Sequence, residues 1–512
     1  MSADLILENA NVITMDPGCP AAELVAVRGN RILAVASSEE LEQLDGVESR
    51  IIDCQGRTVV PGFNDAHCHT FALIRKLSSL DLSPSSVGSI VDIKSAIRRQ
   101  AQNLPAGSWL TGTDYNEFYL AEKRHPNRRD LDEAAPHHPV VLTHRSLHAC
   151  VLNSLALSLA GITRETPEPP GALIERELES GEPSGLLFEM LGYIMDRVMP
   201  PLSEEELAGG MAKASQHYLA MGITSLQEAS ATNDFSRWQT LKRFKNNGRL
   251  KSRLSMMLGI DALSQFQQAG LSFGAGDSHL RLGGVKLMLN EITAQSTMPE
   301  LKQQAFSAHE AGFQLAIHCI EPGTVEAAIA ALEYIGSRSS LAGRRHRLEH
   351  CSECPPPLLE RLIRLKAMVV TQPSFLYYSG ERYLATIPPA QLRWLYRIKS
   401  FLDGGLIVGG SSDSPVVPDN PLVGIYGAVT RRAESGEELL PEEAISAKEA
   451  LAMYTINAAY ASFEEDIKGS ITPGKLADMA VLSADPLKSP PEQIKDIRVE
   501  MTIIDGGVAW EV

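Results

Sequence analysis

Two histidines one residue apart, His67 and His69, follow an apolar run in the segment PGFNDAHCHT. The run before them, residues 57–60, has the composition of a strand. Because side chains alternate between the two faces of a strand, His67 and His69 should point the same way and Cys68 the opposite way. Two imidazoles on one face can bind one metal ion such as zinc. Two polar residues in an ordinary loop are the alternative for this segment taken alone.

Four more residues that can bind metal or react lie in or after later apolar runs. They are Lys286 in GGVKLML, His318 in FQLAIH, His350 in HRLEH and Asp413 in LIVGGSSD. Each has an ordinary explanation by itself, as a hydrogen-bonded core histidine, a lysine whose ammonium group reaches water, or an aspartate that caps a helix. Four histidines and an acid at the ends of successive strands, however, are improbable as a coincidence.

Lys286 indicates a particular kind of metal chemistry. It lies between Val285 and Leu287 in an apolar strand, and burial would lower its pKa towards the neutral amine. A neutral amine can take up carbon dioxide and form a carbamate, an anionic group whose two oxygens can bridge two metal ions. A lysine with its stem in the core and its ammonium group in water is the alternative.

His346 precedes His350 by four residues, a spacing that on a helix would let both histidines bind one zinc ion. On a strand they would lie about 13 Å apart along one face, at roughly 3.3 Å per residue. We therefore predict that His350, but not His346, is a ligand.

Eight strand-like apolar runs are separated mostly by amphipathic helical stretches such as residues 322–338 and 356–366. The runs are the one that ends at His67 and His69, and residues 222–229, 253–258, 283–289, 313–318, 346–350, 367–373 and 406–413. This alternation predicts an α/β fold with a parallel sheet, and eight units predict a closed (β/α)8 TIM barrel. Active sites of such barrels lie at the C-terminal strand ends. An open sheet fits the pattern as well, because the order of strands is not visible in it.

Both ends of the chain carry short strand-like runs with Asn and Gly turn signals. We predict that residues 1–60 and 470–512 form one small composite β-sandwich domain. The barrel would then span residues 61–469. Residues 70–210 do not fit the simple alternation, and we predict that they are an insertion after barrel strand 1.

Composition and charge exclude several classes of protein. The 512 residues are 44% hydrophobic and 21% charged, as in ordinary globular proteins, and the net charge of −16 argues against a nucleic-acid partner. The first 15 residues lack the basic region of a signal peptide, and no window holds the roughly 18 uncharged apolar residues of a membrane helix. Seven scattered cysteines favour a reducing cytoplasm, and the pair Cys351 and Cys354 is interpreted as structural.

Taken in order, several segments resemble the amidohydrolase superfamily, within it the family-3 branch that includes N-substituted formamide deformylases. They are VVPGFNDAHCH, GVKLML, LAIHC, HRLEHC, GGSSDSPV and GSITPGKLADMAVLSADP. The resemblance implies a distorted barrel with a composite β domain and a centre of one or two divalent metal ions, zinc above all. One departure is that Asn290 and Glu291 follow the lysine strand, where the branch has an acidic-glycine turn.

The resemblance also implies a role for each candidate ligand. His67 and His69 would bind one metal ion, and His318 and His350 would bind the second. Lys286, carbamylated by carbon dioxide, would bridge the two ions. Asp413 would be both a ligand and the general base.

The implied function is hydrolysis of a C–N bond in an amide, formamide or cyclic amide of a small molecule, through a metal-activated hydroxide. One alternative is a mononuclear deaminase of the same superfamily, with His67, His69, His318 and Asp413 around a single ion; that scheme has no use for Lys286. A second alternative is a non-catalytic scaffold, whose relatives typically lack several ligands, whereas all six positions are present here.

The predicted insertion supplies candidate substrate contacts. THRSLHACVLNS resembles the segment of the branch that approaches the substrate, which makes His148 and His144 candidates, and Tyr115 in GTDYN is a further one. Three tyrosines that follow the seventh strand are also candidates, namely Tyr377, Tyr378 and Tyr383. Ordinary packing is the alternative for all of them. We expect a small-molecule substrate and a homo-oligomer such as a dimer.

Overall fold

The structure is a computed structural model that describes residues 2–46, 49–289 and 298–512. Asn290 and Glu291 lie outside the described residues. The chain divides into two compact units, residues 1–70 with 214–512 and residues 71–213.

Eight strands of the larger unit form one parallel sheet in which each strand pairs with the next along the chain. They are β1 (Phe63–Cys68), β2 (Ile223–Glu228), β3 (Arg253–Gly259), β4 (Leu280–Leu287), β5 (Leu315–Cys319), β6 (Arg347–His350), β7 (Met368–Thr371) and β8 (Val408–Gly410). Hydrogen bonds from Asp413 N to His67 O (2.8 Å) and from His69 N to Ser414 O (2.7 Å) join the segment after β8 to β1. The sheet is therefore an almost closed barrel, which confirms the predicted fold class over an open sheet.

Helices alternate with the barrel strands as predicted. Those that follow β2 are Phe235–Asn246, Leu263–Gln268, Met298–Glu310, Pro322–Gly336, Pro356–Leu365, Ser374–Thr386, Pro389–Leu392, Ile398–Asp403, Pro421–Thr430, Ala447–Met453 and Ile456–Ala461. Pro322–Gly336 and Pro356–Leu365 both begin with proline in the first turn, where a missing N–H costs no helical hydrogen bond. Buried residues recur three or four positions apart along both helices, so one face of each helix packs against the core.

Two sheets built from both ends of the chain form a β sandwich in the same unit. One has the strand order Arg31–Ala36, Leu24–Arg28, Leu5–Glu8 and Arg50–Asp53; the other has the order Gly507–Glu511, Val499–Ile504, Met479–Leu482, Thr58–Pro61, Asn11–Ile13 and Ala21–Ala22. Leu7, Val25, Val59, Met479 and Ile503 belong to one buried cluster. Side chains from both sheets and both chain ends thus share a single core.

The chain passes from the sandwich to the barrel at Gly62, between Thr58–Pro61 and β1. A Cβ atom at this position would lie 2.2 Å from Oγ1 of Thr224 on β2. Glycine lets the two strands meet without a linker, because any larger residue would clash with the neighbouring strand.

The smaller unit, residues 71–213, contains a six-stranded mixed sheet. Its order is Leu173–Arg176, Pro183–Phe188, Ala149–Leu152, Val140–His144, Leu110–Tyr115 and Leu80–Asp81. Helices Ile90–Ala101, Arg128–Ala134 and Ser154–Leu159 belong to it, while Thr70–Leu77 and Glu204–Ala220 lie at its two ends. The unit interrupts the chain between β1 and β2.

None of the helices in the described parts of the chain combines the length and apolar character needed to cross a bilayer.

Candidate metal centre

His67, His350 and Asp413 come together at the carboxyl ends of β1, β6 and β8. One potential ligand atom of each lies within 4.8 Å of those of the other two, and all three residues are buried. Nε2 of His67 is 3.6 Å from Oδ1 of Asp413. Imidazole nitrogens and carboxylate oxygens are the ligands that zinc and similar divalent metals bind in proteins. The residues present therefore fit a divalent metal ion.

His69 lies beside this group, as the alternation argument predicts. Its ring centroid is 5.3 Å from that of His67, and its Nε2 is 3.0 Å from Oδ1 of Asp413. Nδ1 of His69 is 2.9 Å from Oγ of Ser230, in the segment after β2. A hydroxyl on Nδ1 leaves Nε2 facing the carboxylate.

Lys286 points to the same place from β4. It is 1% exposed, and its Nζ is 3.1 Å from Nε2 of His67. Burial lowers the pKa of Lys286 to about 8, although the carboxylates of Glu349 and Asp413 oppose that shift. A substantial fraction of this amine is therefore neutral near pH 8, the form that reacts with carbon dioxide.

His318 is the sixth residue of the predicted set. It pairs with Glu349 in the β5–β6 ladder, and its ring centroid is 4.5 Å from that of His350. The His350 ring is in turn 4.9 Å from that of His67. All six candidate ligands thus form one chain of neighbours.

Two of the candidate ligands have left-handed backbone conformations, with φ of 68° at His350 and 59° at Asp413. The sequence places Asp413 at the end of the last barrel strand. In the structure β8 ends at Gly410, and Asp413 lies three residues beyond it. At His350, the left-handed turn breaks the alternation of β6. Non-glycine residues rarely adopt this conformation, and it is common where an active site requires a particular side-chain direction.

Burial and neighbouring side chains shift the pKa values of several residues in this group. Burial alone would raise the pKa of Asp413, but the hydrogen bond from His69 and the nearby imidazoles of His350 and His67 hold it well below its usual range. Burial, reinforced by Lys286, lowers the pKa of His67 well below its usual value, and burial also lowers that of His350. At neutral pH the imidazoles of His67 and His350 are therefore neutral and the carboxylate of Asp413 is ionised, which are the metal-binding forms.

His346 lies elsewhere. Its Nδ1 accepts the Leu315 N–H (2.9 Å), and its Nε2 is 2.9 Å from Nδ1 of His309. Both ring nitrogens are thus engaged, one by the first residue of β5 and the other by a residue of helix Met298–Glu310.

The candidate substrate contacts Tyr115, His144 and His148 all belong to the smaller unit. Tyr115 is fully buried, with its hydroxyl 3.0 Å from Nδ1 of His125. Nε2 of His144 is 2.8 Å from Oε2 of Glu117. His148 is the most accessible of the three, and its Nδ1 is 2.8 Å from Oε1 of Glu189.

The tyrosines that follow β7 lie on helix Ser374–Thr386. Tyr377 and Tyr378 pack edge to face, with ring centroids 5.0 Å apart. Tyr383 is buried, with its hydroxyl 3.3 Å from that of Tyr396.

Sequence reasoning missed the residues that orient the ligands. Nδ1 of His67 bonds the carboxylate of Glu349, and Nδ1 of His350 is 2.8 Å from Oε1 of Gln372. Asp65 accepts hydrogen bonds from the N–H (3.0 Å) and the hydroxyl (2.5 Å) of Ser412. An acid in the HRLEH motif itself was the one available signal for Glu349.

Comparison with known proteins agrees with the fold. The model of the amidohydrolase family matches residues 50–509. N-substituted formamide deformylase of Arthrobacter pascens is 30% identical over 537 residues, which cover 99% of this chain and 98% of that protein. Among solved structures, an uncharacterized metal-dependent hydrolase from Pyrococcus horikoshii OT3 has a TM-score of 0.74 at 22% identity, with 95% of this chain and 99% of that chain covered. A zinc-bound adenosine deaminase from Xanthomonas campestris has a TM-score of 0.57 at 14% identity, with 99% and 93% covered.

The family match and the 30% identity with the A. pascens protein define the class of this protein as a hydrolase. Within that class, the chain belongs to the amidohydrolase family, as its motifs predict.

Proposed function

We propose that the protein hydrolyses a C–N bond of a small neutral amide, formamide or cyclic amide with the help of one or two divalent metal ions, zinc above all. The observation that carries this proposal is the convergence of His67, His350 and Asp413, whose potential ligand atoms lie within 4.8 Å of one another at the barrel strand ends. Lys286 and His69, each within about 3 Å of a member of this group, support it.

The proposed roles follow from the chemistry of each side chain. His67 and His69 would hold one ion through their Nε2 atoms, since their Nδ1 atoms are bonded to Glu349 and Ser230. His318 and His350 would hold a second ion. Lys286, as a carbamate formed with carbon dioxide, would help to hold both ions, and its lowered pKa supports this role.

When bound, the cation would polarise the substrate carbonyl and lower the pKa of a water molecule beside it. Asp413 stays ionised at neutral pH because its pKa is held low. Its carboxylate would accept a proton from the attacking water and later deliver that proton to the leaving nitrogen. The products would be a carboxylate or carbamate and an amine.

The substrate class is inferred from similarity and from the site. The A. pascens relative is named as a deformylase of N-substituted formamides, and attack on a polarised carbonyl requires no charge on the substrate. His148, His144 and Tyr115 remain the proposed substrate contacts, and His148 is the most accessible of them.

The test combines metal counting with a substrate panel. Zinc-supplemented protein would be analysed for bound metal per chain and assayed for amine release from N-substituted formamides, simple amides and cyclic amides, with phosphate esters and aminopurines as controls. We expect the protein to contain bound metal and to hydrolyse one or more of the formamides, amides and cyclic amides but none of the control compounds. One ion per chain with activity confined to aminopurines would favour a deaminase, and a chain that binds no metal would favour a scaffold.

A further inference from the structure

A carboxylate lies directly behind the candidate ligand His67, inside the barrel. Glu349 of β6 is fully buried, and its Oε2 accepts a hydrogen bond from Nδ1 of His67. The two residues are 282 positions apart in the chain. Burying a carboxylate is costly unless it is paired and hydrogen-bonded, so this contact requires an explanation.

The charge of Glu349 is balanced by Arg347, two residues earlier on the same strand and 1% exposed. Nε and Nη2 of Arg347 donate to Oε1 (2.5 Å) and Oε2 (3.0 Å) of Glu349. The remaining guanidinium donors bond Oε1 of Gln227 (2.5 Å) on β2 and the carbonyl of Ala66 (2.6 Å) on β1. Three barrel strands thus hold the carboxylate in one position.

His67 differs in this respect from two other candidate ligands. Nδ1 of His69 bonds the hydroxyl of Ser230, and Nδ1 of His350 bonds the amide oxygen of Gln372. Both partners are neutral, whereas that of His67 is ionised. A carboxylate on Nδ1 requires the proton on Nδ1, directs the lone pair of Nε2 away from it, and makes the ring a stronger ligand.

From this geometry we infer that Glu349 is the positioning residue of the metal centre, which fixes the tautomer and direction of His67 while Arg347 keeps its carboxylate in place. The inference rests on the proposed metal site. It assigns to the Arg347–Glu349 pair a function in metal affinity in addition to any contribution to barrel stability.

The test measures zinc affinity by competition with a chelator, first for the wild-type protein and then for Glu349→Ala and Glu349→Gln. Loss of such a carboxylate partner typically weakens metal binding about 10- to 100-fold, and we expect that loss for Glu349→Ala. Glu349→Gln keeps an acceptor oxygen and should lose less. The visible absorption of the cobalt-loaded protein, which reports on the ligand nitrogens, should shift in both variants.

Glu464→Gln is the matched control, because Glu464 is also buried and paired, with Lys468 at 2.8 Å. It should bind zinc as the wild type does. If Glu349→Ala fails to fold, the double variant Arg347→Met/Glu349→Gln removes both charges together, and it should still bind zinc about 10-fold more weakly.

A double-mutant cycle tests whether Glu349 acts on zinc affinity through His67. If Glu349 acts through His67, Glu349→Gln should weaken zinc binding little further in a His67→Ala background. Wild-type zinc affinity in folded Glu349→Ala, or an undiminished effect of Glu349→Gln in the His67→Ala background, would overturn the inference. Absence of zinc binding by the wild-type protein would instead refute the proposed function.

Discussion

The proposed chemistry of the candidate centre depends on the state of one side chain, the buried amine of Lys286. Its amine is buried beside His67, and its pKa is lowered to about 8, first by desolvation. A charged lysine at this position would repel a metal ion, whereas a carbamate would attract one. The same burial that disfavours the ammonium ion therefore favours the neutral amine, from which a carbamate would form.

We predict that Lys286→Ala loses bound metal and activity, and that small carboxylic acids partly restore both because they supply the missing oxygens. Metal analysis and turnover with and without added acid measure this. Lys245→Met is the control: Lys245 is half-buried with a pKa lowered to about 7, but its Nζ donates to three backbone carbonyls. Full metal content and rate in Lys286→Ala would refute the bridge.

The two proposed roles of Asp413, metal ligand and general base, can be tested separately. Asp413→Asn still offers an oxygen but cannot accept a proton, so we expect retained metal and turnover of the best amide lowered by about 10² or more. The acidic limb of the wild-type rate should report protonation of the water–carboxylate pair rather than of either group alone. An unchanged rate in a metal-loaded Asp413→Asn protein would contradict the role of base.

At the scale of elements, two histidines at the two ends of β6 have different surroundings: His346 directly precedes the strand and His350 is its last residue. His350 turns into the candidate centre through its left-handed backbone, while His346 is held by the Leu315 N–H and by His309. We therefore expect His350→Ala to lower metal content, as His67→Ala, His69→Ala and His318→Ala should, and His346→Asn to retain it.

His346 should also make the free energy of unfolding depend on pH. Burial, then the nearby His309, lowers the pKa of His346 from 6.5 to about 3, so the unfolded chain binds its proton more readily. The free energy of unfolding should fall as the pH drops from about 6.5 towards 3, by about 1.4 kcal/mol for each unit of the pKa difference. Urea denaturation at several pH values should show a shallower fall for His346→Asn, which keeps an acceptor for the Leu315 N–H. Equal slopes would contradict this.

At the scale of the whole molecule, the barrel and the sandwich of the larger unit are joined by a buried ion pair. Arg253 of β3 is 1% exposed and donates to Asp478 (2.5 and 2.9 Å) and to Asp505 (2.6 Å), which flank the sandwich strands Met479–Leu482 and Val499–Ile504. The C-terminal strands of the sandwich are thus tied to the barrel by this ion pair.

We predict that Arg253→Met lowers the free energy of unfolding by about 3–5 kcal/mol, because it leaves a buried carboxylate without its partner. Arg253→Met/Asp478→Asn should recover part of that loss, since no unpaired charge remains at Asp478. Urea denaturation of the three proteins at pH 7 provides the comparison. A double variant less stable than Arg253→Met would show that the charge of Asp478 is not what destabilises the single variant.

The family could be predicted from the order of the sequence motifs, whereas single segments were enough to predict the alternation of strands and helices and the set of six candidate ligands. These follow from local signals, since apolar runs with periods of 2 and 3.6 define the elements and a polar residue at the end of an apolar run stands out. His67, His69, Lys286 and His318 were placed in this way. The predicted limits of the composite domain and of the insertion rest on the same signals.

Three features could be seen only in the folded protein. They are the closure of the ring of strands, the left-handed backbone of His350 and the residues that hydrogen-bond the candidate ligands. Glu349 meets His67 across 282 residues, and Asp65 meets Ser412 across 347. Such pairs depend on which strands become neighbours and on their register, which no local pattern encodes. The left-handed turn at His350 likewise has no signal in its residue type, because the surrounding contacts of the barrel impose it.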